Sequence, residues 1–155
     1  MKRFAVAVAV IPFLATVAKA AQEWTVIVVT GNCQVLQIAS QSTACATPAS
    51  AVYTSLPNGI VLFDVPLADG RVYGFVGDRD AQPKREQYVL YLKRVRLANG
   101  PEPGTPVDVS GTCKMNVSTD GSIVHRIICN ATDSQGGEYL LDFLGDGKPV
   151  EVKRF

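Results

Sequence analysis

Histidine is almost missing from this 155-residue chain: His125 is the only one, and tryptophan is likewise single, at Trp24. One histidine excludes a multi-histidine metal site, and any Ser-His-Asp or Cys-His hydrolase would have to use His125 as its base. No Gly-x-Ser-x-Gly nucleophile elbow accompanies it, no Cys-x-x-Cys zinc knuckle occurs, and no glycine-rich phosphate loop is present. No segment has a convincing helical period, and no internal repeat or low-complexity tract is visible. These absences leave no catalytic residue, cofactor or metal to assign.

The one long apolar run lies at the start. Lys2 and Arg3 precede an uncharged stretch from Phe4 to Val17, and Ala18-Lys19-Ala20 supplies a small-x-small site, the order of a secretory signal cleaved after Ala20. A retained anchor fits less well, because 14 residues interrupted by Pro12 fall short of the roughly 20 that a spanning helix needs. The expected division is a signal peptide over residues 1–20 and one domain over residues 21–155, periplasmic or secreted, with no membrane span after cleavage. Without Lys2, Arg3 and Lys19 the domain carries 12 basic and 14 acidic residues, a net charge of −2. That balance removes the basic excess usual in polyanion binders, so nucleic acid is not an expected partner.

All four cysteines, Cys33, Cys45, Cys113 and Cys129, fall in the domain. An even count in an exported chain reads as two disulfides, and local sequence favours Cys33 with Cys45 and Cys113 with Cys129. Asn58-Gly59, Asp69-Gly70, Asn99-Gly100, Asp120-Gly121 and Asp146-Gly147 are tight-turn dipeptides that accept positive φ. Short runs rich in Val, Ile, Tyr and Phe alternate with them, beginning at Trp24 to Val29 and ending at Val150 to Val152. The expected fold is all-β: one antiparallel domain of about eight or nine strands, a small barrel or a two-sheet sandwich.

Folding about Asp120-Gly121 places Cys113 nearly opposite Cys129. Strand alternation then turns Met115, Val117, Ile123, His125 and Ile127 to the same inward face, with Thr112, Lys114, Asn116, Arg126 and Asn130 outward. A half-buried structural histidine is therefore expected at position 125. In the segment after Asp69-Gly70, Tyr73 and Phe75 share one side while Val72, Gly74 and Val76 share the other, so both sides are apolar. The stretches Ala98 to Pro106 and Asp78 to Gln87 read as loops, where a β scaffold often carries its function.

Lys84, Arg85, Lys93, Arg94 and Arg96 form the one basic concentration, interleaved with Tyr88 and Tyr91. It offers charge and stacking to an anionic ligand, though a strand edge guarded against pairing is the stronger reading. Asp64, Asp69, Asp78 and Asp80 are candidates for a carboxylate pair, but acids beside turns are explained first by backbone capping. The Asp78-Arg79-Asp80 and Asp142 to Asp146 runs lack the ligand periodicity of a calcium loop. Asn116-Val117-Ser118 and Asn130-Ala131-Thr132 match the N-glycosylation pattern, and Trp24 reads as a core or rim anchor. The function expected is a non-enzymatic binding module for an envelope protein, a glycan or a small apolar ligand. A small carboxylate hydrolase and a structural envelope protein are the alternatives.

Overall fold

A strand exposes alternate residues to opposite faces, so a chain of alternating apolar and polar positions closes best when every apolar face meets the others around one axis. The computed structural model describes residues 23–99 and 104–155. The expected signal peptide and cleavage site, and the expected Asn99-Gly100 turn with residues 100–103 of the expected Ala98 to Pro106 loop, lie outside the described residues. Ten strands follow in order: β1 Thr25–Ile38, β2 Gln41–Ser42, β3 Ala49–Ser55, β4 Val61–Pro66, β5 Val72–Lys84, β6 Gln87–Ala98, β7 Pro106–Val117, β8 Val124–Asp133, β9 Glu138–Gly145 and β10 Glu151–Arg154.

All pairings among these strands are antiparallel. β1, β3, β4, β5, β6, β7, β8 and β9 pair in that order, and β9 returns to β1, so the architecture is a closed eight-stranded barrel rather than a sandwich. β1 closes it by bending: its first half pairs with β3 from Thr25 to Gly31, and its second half pairs with β9 from Gly31 to Gln37. β10 lies beside the first half of β1, where Trp24 and Phe155 exchange backbone hydrogen bonds and their rings stand 5.5 Å apart. Trp24 is thus a rim anchor.

Side chains fill the barrel. Phe63, Tyr73, Phe75, Phe143, Leu67, Leu90, Ile127 and Leu141 are all essentially inaccessible, as are Cys113 and Cys129. An eight-stranded barrel has an interior just wide enough for such filling. Tyr73 and Phe75 point inward as the alternation requires, and Val72, Gly74 and Val76 point outward.

The turns at Gly59, Gly70, Gly121 and Gly147 all have positive φ. Another turn has positive φ without glycine: Ala39 and Ser40 join β1 to β2 with φ of 51° and 66°. Ser40 is held there by Glu138, whose carbonyl accepts from its backbone N–H at 2.8 Å and whose own N–H donates to its hydroxyl at 3.0 Å.

Two expectations are corrected. His125 is exposed, not inward. Asn116 faces Arg126 while Val117 faces Val124, so His125 is the extra residue of a β-bulge, and Val124 takes the buried place. Residues Asp78 to Gln87 are not a loop but the ends of β5 and β6, closed by a short turn at Arg85 and Glu86. β4 stops pairing at Gly77, which leaves Asp78 to Lys84 as a free edge carrying charges and Pro83, residues that discourage pairing with another chain.

Candidate functional site

The outer wall of β4, β5 and β6 is organised in rows fixed by register. One row runs Leu62, Val76, Arg94, and the next runs Asp64, Gly74, Arg96. Arg94 and Arg96 point outward because Lys93 is bulged, which shifts the alternation so that Leu90 and Leu92 are buried before it and Val95 after it. Asp78 is the bulged residue of β5, and its carboxylate accepts from the Lys93 ammonium at 2.6 Å.

Gly74 makes the second row possible. A Cβ there would run into the Asp64 carboxylate and the Arg96 side chain, so glycine lets Arg96 reach across a whole strand. The Arg96 guanidinium donates to both Asp64 oxygens, at 3.1 and 3.3 Å. Burial nevertheless raises the Asp64 carboxyl above its ordinary range, with Arg96 opposing that shift only in part. Charge is being held in a medium poorer in water than the surface.

Beside this pair runs a groove of about 440 Å³. Leu56, Ile60, Leu62 and Val76 give it an apolar floor, Arg94 and Arg96 stand along it, and Gly104 and Pro106 approach from the β6–β7 connection. Gly104 is packed so closely on the Leu97 carbonyl that no Cβ could be accommodated. Leu62 and Val76 are only 7% and 8% exposed although they face away from the barrel core. The Arg94 side chain makes no hydrogen bond or ion pair among the described residues, and its Nε is buried without a partner. A smaller hollow of about 100 Å³ adjoins the groove, shares Ile60, Val76 and Arg94 with it, and is completed by Gly77, Asp78 and Lys93.

The basic concentration is therefore divided rather than one patch. Lys84 and Arg85 are exposed at the tip of the β5–β6 hairpin, Lys93 is engaged by Asp78, and Arg96 is engaged by Asp64. Arg94 alone among the three on the wall lacks an acid. Of the interleaved tyrosines, Tyr91 lies under the Arg79 guanidinium at 4.4 Å, and Tyr88 donates to Asp80 at 2.8 Å.

The candidate carboxylates are separately occupied. Asp64 holds Arg96, Asp78 holds Lys93, Asp80 accepts from Tyr88, and Asp69 caps its turn through the Arg71 N–H and pairs with the Arg71 guanidinium. The Arg71 contacts hold the Asp69 carboxyl below the usual carboxylate range, and Lys93 does the same to Asp78. No group of three or more His, Cys, Asp or Glu among the described residues is placed to hold a metal ion.

Both cysteine pairings are as expected. Cys113 faces Cys129 directly across β7 and β8 and the bond lies inside the barrel. Cys33–Cys45 joins β1 to the segment before β3 and is half-exposed, lining a second cleft of about 410 Å³ with Asn32, Gln34, Thr43 and Thr47. Asn116 and Asn130 are exposed on the outer wall. No helix among the described residues is long and apolar enough to cross a membrane.

Sequence reasoning found Arg94 and Arg96 but missed the apolar floor beside them. The available signal was Val76, an apolar residue on the outward side of its strand. Comparison of the chain with protein-family models, with curated proteins and with solved structures finds no match.

Proposed function

We propose that this protein is an exported, non-enzymatic binding module whose ligand seats on the outside of the barrel, in the groove on β4, β5 and β6. Two disulfides are typical of proteins outside the cytoplasm, and the N-terminal run supports export to the periplasm or beyond. The filled interior argues against a ligand held along the barrel axis. One observation carries the proposal: an apolar groove with an unpaired guanidinium at its wall, within the size range of small-molecule sites, about 300–1,000 Å³. The hydrolase alternative draws no support from acids that are each held by a different donor, and from a groove whose lining residues include none.

The test is a small-molecule fragment screen on the mature protein with methyl groups observed by NMR. Shift changes should gather at Leu56, Ile60, Leu62 and Val76. Changes confined to the Cys33–Cys45 cleft, or none at the groove, would contradict the proposal.

A further inference from the structure

We infer that the groove takes a monoanionic amphiphile, a hydrocarbon chain ending in a carboxylate, with the chain on Leu62 and Val76 and the carboxylate on Arg94. This rests on the groove being the binding site. Charge pairing on the wall decides the head group. Arg96 is neutralised by Asp64 and Lys93 by Asp78, so one positive charge is left over, that of Arg94. Asp108 stands opposite Arg94 in register on β7, yet the two form no ion pair. A polyanion would need several free cations and finds one along the groove.

The floor decides the rest of the ligand. Leu62 and Val76 offer no hydrogen bond to a sugar, and no aromatic ring lines the groove to stack on one. An alkyl chain has only apolar contact to make, which is what these side chains supply. A guanidinium meets a carboxylate through paired N–H donors, and the terminal N–H groups of Arg94 are engaged by no described side chain, whereas Arg96 already spends its own on Asp64. A neutral chain of equal length makes the same apolar contact but only an uncharged hydrogen bond, which is weaker than the charge-assisted one.

The experiment titrates octanoate, 1-octanol and octylammonium into the mature protein, reading the Leu62 and Val76 methyl resonances. Octanoate should bind at least about tenfold more tightly than either other probe, as expected for a charge-assisted hydrogen bond, and its affinity should fall from low to high salt. Arg94→Gln should bring octanoate down to the level of octanol. Arg94→Lys should retain part of the preference, and Val76→Thr should weaken all probes together. Arg94 has no partner to lose, so Arg94→Gln should keep the wild-type fold, checked by its core methyl spectrum. Octanol binding as tightly as octanoate, or octanoate affinity unchanged in Arg94→Gln, overturns the assignment of ligand class while leaving the groove as the site. Absence of shifts at Leu62 and Val76 with every probe overturns both.

Discussion

Two Arg–Asp pairs lie on opposite parts of the same barrel wall, and they behave differently. Arg126 on β8 grips Asp142 on the adjacent β9 through two short contacts of 2.7 and 2.8 Å, and the pair lowers the Asp142 carboxyl below its ordinary range. Arg96 on β6 reaches over β5 to Asp64 through longer contacts of 3.1 and 3.3 Å, and Asp64 is raised instead. Direct exposure does not separate them, since the Asp64 and Asp142 side chains are 19% and 24% accessible. The depth of surrounding protein and the quality of the contact do. Asp64 sits in mid-wall beside an apolar groove, where desolvation outweighs a loosely made ion pair. Asp142 meets a more exposed partner, Arg126, whose short contacts outweigh a smaller burial cost. The same two residue types thus mark a dry part of the wall and a wet one.

The largest effect should come from filling the gap that the spanning pair needs. Gly74→Val displaces the ends of both side chains and breaks the pair, so it is expected to lower the unfolding free energy by about 1–3 kcal/mol and by at least as much as removal of Arg96 alone, read by denaturant titration. Wild-type stability in that variant would mean that Arg96 and Asp64 do not depend on the empty position between them.

Next in size is loss of the Arg96 partner. Arg96→Met leaves Asp64 half-buried without its cation and should cost about 1–3 kcal/mol at neutral pH. The sign of the pH dependence is fixed. An acid raised in the folded state contributes stability that is fully present below its unfolded value, 3.8, and lost as pH rises through the folded value. The deficit of Arg96→Met should therefore shrink on acidification, and a deficit independent of pH would detach it from Asp64.

The smallest effect belongs to the wet face. Asp142→Asn should cost less than about 1 kcal/mol, and high salt should shrink even that. Its dependence runs the other way: stability from a lowered acid is present above 3.8 and lost as pH falls through the folded value. A penalty as large as that of Arg96→Met would erase the distinction between the two faces.

The sequence makes some of this plain and hides the rest for identifiable reasons. Cys113 and Cys129 stand eight residues either side of Gly121, so a hairpin centred there brings them together, and it does. Counting outward by twos also puts His125 inside, and one bulged residue is enough to reverse it. The second half of β1 escapes notice because Gly31, Asn32, Gln34 and Gln37 interrupt its apolar pattern, although pairing to β9 holds it extended. Lys93, Arg94 and Arg96 look like one patch along the chain. The acids that cancel two of them, Asp78 and Asp64, lie 15 and 32 residues earlier and meet them only through strand pairing. Alternation says that Val76 faces outward, but not that the β3–β4 turn and the β6–β7 connection make its surroundings a groove.

The account depends most on the wall of β4, β5 and β6 being dry where that of β8 and β9 is wet. Following the side-chain carboxyl carbons by NMR across an acid titration of residues 21–155 tests this directly. Asp64 should titrate above 3.8 and Asp142 below it. An Asp64 that ionises at or below the pH at which Asp142 does would contradict the account.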